Sequence, residues 1–331
     1  MLSLKSGYPL GYIDNATKNV IYLKDTNQES AAAGSDYDPG LQPIDIKTSY
    51  MSILDSPVGK KKFKKLIENG KIRDLKEAIK DLDDPDELEE KFDNKILAGL
   101  DDLKSLAEEV YRTEFYCKDL FQPLLDLGKH QSFVAMGASG AGKSYYMGKL
   151  LDQLRNGSPI MKKDKEKDIY IISLVNEDEA YDKYKPCRIP TTGEEGEEWL
   201  EHPPEIDELA DSVVIFDDIT AIKEKRVKEA VKNLCDLILE TGRHHSITTM
   251  CTNHLVRGGN ETKKMLNEAT SLTFFPQANW APVGAFLKDV AGFSKSQLDK
   301  ARELSADSRW LTFMRTFPNV LLHQHGCWIV S

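Results

Sequence analysis

The sequence predicts an α/β protein with a mainly parallel β-sheet flanked by helices, preceded by a mostly helical N-terminal extension. Three observations carry this. Five short apolar runs, at 131–136, 169–175, 213–216, 247–252 and 271–275, alternate with helical stretches. That alternation is the mark of a parallel sheet, and near-continuous apolarity suits strands buried on both faces. The first run leads into the octapeptide Gly137-Ala138-Ser139-Gly140-Ala141-Gly142-Lys143-Ser144, and the third ends in the adjacent carboxylates Asp217 and Asp218.

Taken in order, residues 8–25 hold two β-type runs around Asp14-Asn15, a hairpin pattern. Residues 26–43 are rich in Ser, Ala, Gly, Asp and Pro and read as a linker. Residues 57–127 are charged and helical, with a basic cluster at Lys60–Lys65 around Phe63 and an acidic patch at 81–90. Ile96, Leu97, Leu100, Leu103, Leu106 and Val110 recur at helical spacing, so this segment is expected to pack one face and solvate the other. The expected organisation is a hairpin and linker over 1–45, a helical region over 46–127, the nucleotide-binding core over 128–280 and its C-terminal part over 281–331. The acidic, turn-rich stretch 191–208 reads as a surface excursion.

The 331 residues are enough for one large or two small domains, and their composition is that of a globular protein, 40% hydrophobic and 30% charged. No apolar run approaches the roughly 20 residues of a membrane span. Five scattered cysteines form no C-x-x-C pair, which fits a reducing compartment such as the cytoplasm. The net charge of −10 argues against a passive nucleic-acid coat, because such binding usually shows as a basic domain. Local basic clusters remain: Lys223, Lys225, Arg226, Lys228 and Lys232 follow the acidic pair, and Lys162, Lys163, Lys165 and Lys167 precede the second strand.

The octapeptide is a complete G-x-x-x-x-G-K-[ST] loop, flanked by the strand and helix it requires. Tyr146, Met147, Leu150, Leu151 and Leu154 give the helix its apolar face, and Gly157 ends it. The backbone from Gly137 through Ala138, Ser139, Gly140, Ala141 and Gly142 to Lys143, Ser144 and Tyr145 is expected to bind the phosphates of ATP. Lys143 is expected to reach the β- and γ-phosphates, and Ser144 to offer its hydroxyl to Mg²⁺. Asp217, at the carboxyl end of an apolar strand, is the second expected Mg²⁺ ligand, and Asp218 the group that polarises the attacking water. The expected fold is therefore a RecA-like P-loop NTPase. Asn253, at the end of the 247–252 strand, either senses the γ-phosphate or the attacking water or simply starts a turn. Arg243 follows the helix cap Gly242; it either completes a neighbouring subunit's site or complements its own helix dipole.

These residues carry a resemblance. The chain resembles the FtsK–HerA type of P-loop motors and, within it, the poxvirus-like genome-packaging ATPases of large DNA viruses. The likeness lies in Gly137–Ser144, in Val213–Asp218, in Gly242-Arg243-His244-His245-Ser246-Ile247 running to Asn253, and in Met265-Leu266-Asn267-Glu268-Ala269 running into Phe274-Phe275-Pro276. Ser308-Arg309-Trp310 and Phe317-Pro318 look like the family's C-terminal end. It covers roughly 128–331 and leaves 1–127 aside. The resemblance implies an ATPase that works as a ring homo-oligomer on double-stranded DNA and fills a preformed capsid, with a capsid or portal protein as partner. It also implies a host-cell cytoplasm, viral-factory or virion setting. The family often has Gln where this chain has Asn253, and many members have Glu where it has Asp218. Arg188, Arg257 and Arg309 compete with Arg243 as the residue acting in trans, with Arg243 favoured by its place in the motif.

Other P-loop classes fit less well. Thr252-Asn253-His254-Leu255 is no guanine-reading Asn-Lys-x-Asp, and Asp217-Asp218-Ile219-Thr220 lacks the glycine of a GTPase switch. No Arg-rich lid marks a nucleotide kinase. The alternative is another P-loop NTPase, helicase-loader-like or a nucleotide kinase, without packaging activity, and a non-catalytic scaffold is disfavoured by the intact Lys143, Ser144, Asp217 and Asp218.

Overall fold

Apolar runs of four to six residues, closed off by turns, supply the strands that carry the site. The computed structural model describes residues 2–3, 7–16, 18–23, 46–55, 57–82, 92–127, 131–192, 200–254, 263–277 and 279–330. The linker stretch 26–43, Arg257 and most of the 81–90 acidic patch lie outside the described residues. The chain divides into two units, Met1–Gln122 with His325–Ser331, and Pro123–Gln324.

In the first unit, β1 (Leu2–Ser3) and β2 (Tyr8–Ile13) each pair antiparallel with β3 (Val20–Leu23). The helices are α1 (Ile46–Asp55), α2 (Pro57–Lys62), α3 (Lys64–Glu68), α4 (Ile72–Lys80) and α5 (Asn94–Thr113). Their apolar stripes meet in a cluster of Ile53, Leu54, Phe63, Leu75, Ala78, Ile79, Ile96, Leu100 and Leu103. Phe63 is the buried anchor of the basic cluster, whose lysines stay exposed. Two short strands follow, β4 (Glu114–Tyr116) and β5 (Phe121–Pro123), with β5 beside β2. Gly11 permits that neighbour, since a Cβ there would meet the Phe121 ring at 2.4 Å. The C-terminal strand Gly326–Ile329 pairs antiparallel with β4.

The second unit holds β6 (Ser132–Met136), α6 (Lys143–Asn156), β7 (Ile169–Ser173), α7 (Glu179–Asp182), β8 (Cys187–Pro190) and β9 (Val213–Asp217). It continues through α8 (Lys225–Thr241), β10 (Thr248–Asn253), α9 (Lys263–Glu268), β11 (Ser271–Phe274), α10 (Trp280–Asp289), α11 (Lys295–Ser305), β12 (Leu311–Met314) and β13 (Val320–His323). Its sheet runs β13-β12-β11-β6-β10-β9-β7-β8. The strands from β11 to β8 are parallel, and β12 and β13 extend the sheet antiparallel. This is the α/β P-loop fold that the sequence predicts.

Every residue of β6, β9, β10 and β11 is buried, as strands covered on both faces are, the threonines and Asn253 of β10 included. Three strands carry no clear sequence signal. β8 includes Arg188 and Pro190 and none of its residues is buried, so it lacks both alternation and an apolar run. β12 and β13 are four residues each, too short for a period to show.

The register positions the site. Met136 lies opposite Asn253, Thr252 opposite Asp217, and Asp217 opposite Ser173. The carboxyl ends of β6, β10, β9 and β7 are therefore level, and every loop leaving them emerges at one edge.

In the first unit, Leu103 is fully buried in the helical cluster. Leu103→Ala is expected to destabilise the protein by about 2–5 kcal/mol, transfer and cavity costs together. A urea midpoint that stays put would contradict the cluster.

Candidate nucleotide site

The loop 137–142 turns sharply between β6 and α6 because Gly140 and Gly142 take left-handed conformations, with φ of 74° and 104°. Nothing lies within 4 Å of where a Gly140 Cβ would sit, so the loop is open there. The start of the loop is pinned, since the Gly137 N–H donates to the Asn253 carbonyl at 3.1 Å. Tyr146, Met147, Leu150, Leu151 and Leu154 are buried along α6, with the Tyr146 hydroxyl 2.9 Å from Thr312 Oγ1. Tyr145, one residue earlier, is 65% exposed.

Lys143 opens α6 with its side chain almost wholly buried. Its Nζ donates to the carbonyls of Gly137 at 3.3 Å and Ala138 at 3.5 Å. It also lies 3.2 Å from His254 Nδ1 and 3.6 Å from Asp218 Oδ2. The helix N-terminus and the ammonium thus concentrate positive charge at the open side of the loop, the field an anion needs.

Asp217 is buried at the end of β9 among hydroxyls. Thr252 Oγ1 donates to its Oδ1 at 2.7 Å, Tyr181 OH to the same oxygen at 3.3 Å, and Ser173 Oγ to Oδ2 at 3.3 Å. Burial pushes the Asp217 carboxyl above the ordinary aspartate range, against the pull of Thr252, and the nearby Asp218 and Asp178 add to the rise. The Tyr181 hydroxyl, itself pushed far up by burial, also hydrogen-bonds with the Ser144 side chain. Ser144 and Asp217 therefore face one small region, joined through Tyr181. An alcohol and a carboxylate are oxygen donors of the kind a hard divalent cation takes, and a desolvated carboxylate with no cationic partner gains from one. The residues fit Mg²⁺.

Asp218 follows in a left-handed turn, φ 48°, which Asp tolerates better than most residues. Its N–H donates to Thr252 Oγ1 at 3.0 Å, and its Oδ2 lies 2.9 Å from His254 Nε2. Its Oδ1 is buried and has no hydrogen-bond partner among the described residues. Asn253 is buried, and the Thr220 hydroxyl, just past Asp218, lies 3.4 Å from its Oδ1.

The structure brings Lys143, Ser144, Asp217, Asp218 and Asn253 to the same sheet edge. Arg243 stands apart. It precedes β10, at the amino end of strands whose carboxyl ends carry the loop, in a short 3-10 turn over Gly242–His245. Its side chain touches His244 and pairs with no carboxylate among the described residues. Arg188 is engaged with Asp182 at 2.5 Å and with the Val175 carbonyl. Arg309 lies beside the loop of its own chain, its Nη2 3.9 Å from where a Gly142 Cβ would be.

Sequence reasoning missed Ser173, Tyr181, Thr252 and His254. Thr252 and His254 flank Asn253 and had a positional signal. Ser173 and Tyr181 had none, because their partners lie 44 and 36 residues away.

A parallel sheet bearing this loop between β6 and α6, with a carboxylate at the end of β9, defines a P-loop nucleoside triphosphatase. No protein-family model matches the chain. It belongs to the same family as a protein of Sputnik virophage called uncharacterized protein V3, to which it is 32% identical over 192 residues, 57% of this chain and 73% of that one. Among solved structures, it is similar to the conjugation coupling protein TcpA of pCW3 bound to ATPγS, at 14% identity and a TM-score of 0.41, over 64% of this chain and 63% of that one. It is similar also to the genome packaging NTPase B204 of Sulfolobus turreted icosahedral virus 2 bound to AMPPCP, at 14% identity and a TM-score of 0.36, over 56% of this chain and 92% of that one. No described helix is long and apolar enough to cross a membrane.

The Asp217 carboxyl holds its proton more tightly folded than unfolded. It therefore favours the fold at low pH and loses that contribution as pH rises. Asp217→Asn is expected to raise the nucleotide-free melting temperature at neutral pH, with the gain shrinking as pH falls toward the ordinary aspartate range. Calorimetry down to that range checks it; a lower melting temperature at neutral pH would refute the burial argument.

Proposed function

We propose that this protein is an ATP-driven DNA translocase that packages a viral genome into a preformed capsid, acting as a ring of identical subunits. The observation that carries the reading is the meeting of Lys143, Asp217 and Asp218 at one sheet edge, beside a phosphate loop.

The N–H groups of the loop surround the β-phosphate, and Lys143 leaves the Gly137 and Ala138 carbonyls to neutralise β- and γ-oxygens. Ser144 and Asp217 would hold Mg²⁺, which would supply charge stabilisation to the triphosphate. Asp218 uses the unpartnered Oδ1 to accept from a water in line with the γ-phosphorus. The water oxygen bonds to that phosphorus as the bridge to the β-phosphate breaks, giving ADP and inorganic phosphate.

Asn253 touches Thr220, in the turn that leads from Asp218 to Lys223, Lys225 and Arg226. Those three side chains are exposed and make no ion pair among the described residues, whereas Lys232 is bonded to Asp236 and Lys167 to Asp211. Lys162, Lys163 and Lys165 are exposed as well, but the segment from 223 to 226 is the one that follows the Asp218 turn, where a grip on DNA phosphates would feel the state of the γ-phosphate. Packaging itself rests on the motif resemblance, with a capsid or portal protein as the docking partner. The Sputnik virophage relative supports the viral part of the reading.

ATP hydrolysis should be stimulated by double-stranded DNA and should fall at least about a hundredfold in Lys143→Ala and in Asp218→Asn. Turnover indifferent to any DNA, in a protein of monomeric native mass, would end the motor reading.

Arg243 is exposed and far from its own loop, as a residue acting on a neighbour must be. Mixing wild-type subunits with Arg243→Ala subunits is expected to depress activity more steeply than dilution alone. Strict proportionality to the wild-type fraction would remove Arg243 as the residue acting in trans.

A further inference from the structure

His254 joins the two residues on which hydrolysis depends. Its Nδ1 lies 3.2 Å from Lys143 Nζ and its Nε2 lies 2.9 Å from Asp218 Oδ2. An ammonium has only hydrogens to offer, so Nδ1 accepts; the ring proton of the neutral imidazole is then on Nε2 and donates to the carboxylate. One tautomer satisfies both contacts. The direct Lys143–Asp218 contact is longer, at 3.6 Å.

The surroundings of Asp218 give this contact its importance. Its backbone is held by Thr252, and one carboxylate oxygen has no partner among the described residues. Among the described residues, His254 is the side chain at hydrogen-bonding distance from the other oxygen, so it sets the rotation of the carboxylate and hence where Oδ1 points. The imidazole is 38% exposed at the end of β10.

We propose that His254 is a positioning residue for ATP hydrolysis, an inference that rests on the ATPase reading above. Before nucleotide arrives, it ties Asp218 to Lys143 and keeps the ammonium back on the loop. A triphosphate draws Lys143 to its own oxygens, which frees Nδ1 and opens space beside the buried Oδ1 for the water while Nε2 still holds Asp218. Lys143 departure and the arming of Asp218 become one event.

The test uses the full chain, with steady-state and single-turnover hydrolysis and titration with a non-hydrolysable ATP analogue. His254→Ala is expected to lower kcat by roughly tenfold to a hundredfold, with KM and analogue affinity changed by no more than about twofold. His254→Gln, whose amide can donate to Asp218, should recover most of the loss. In an Asp218→Asn background, His254→Ala should cost little more, because the two residues act as a unit. Unchanged kcat in His254→Ala, a rise in KM alone, or full additivity with Asp218→Asn would overturn this inference while leaving the ATPase reading intact. A wild-type protein that binds the analogue and never hydrolyses ATP would overturn both.

Discussion

The Thr252 hydroxyl donates to the Asp217 carboxylate at 2.7 Å and accepts from the Asp218 N–H at 3.0 Å. One oxygen thus fixes the two acids in opposite ways, the first by its side chain and the second by its backbone. This is possible only because β10 lies beside β9 with Thr252 opposite Asp217. A slip of one residue would turn the hydroxyl to the other face of the sheet and release both acids. The next residue, Asn253, pins the start of the phosphate loop through its carbonyl, and the one after, His254, reaches Lys143 and Asp218. Three consecutive residues at the end of one strand therefore hold the acids, the loop and the lysine.

The arrangement stores electrostatic cost where chemistry needs it. Asp217 is desolvated and answered by hydroxyls, which satisfy its lone pairs without neutralising it. Lys143 is nearly buried and answered by carbonyls, an imidazole and a carboxylate. Lys143 thus already faces the Asp218 carboxylate, whereas no cation pairs with Asp217 among the described residues. The stability of the fold comes from elsewhere, from strands that are buried along their whole length and from the apolar face of α6.

The local signals were strong where one stretch of chain does one job. The loop needs glycines at positions of positive φ and a lysine at the start of a helix, all within eight residues, so its chemistry is legible in the primary structure. The Val213–Phe216 run before Asp217 is legible for the same reason. Arg243 was singled out by its motif, yet it sits at the opposite end of the strands from the loop of its own chain. Arg309, grouped with it as a rival, lies against Gly142. The end that Arg243 occupies follows from its place before a parallel strand, whereas Arg309 reaches the loop because β12 runs antiparallel to β11, a strand direction that spacing does not encode.

By itself the sequence determined the sheet type, the phosphate loop and the two acids, because each follows from short-range rules of periodicity, turn conformation and charge. The tertiary structure alone decided what surrounds the acids. Ser173, Tyr181, Thr252 and His254 come from three separate segments, and their hydroxyls and imidazole matter only once β7, α7 and β10 place them within hydrogen-bonding reach of β9 and its turn. Hydrogen bonds act over about 3 Å, so partners distant in the chain leave no trace in it until the strand register brings them together.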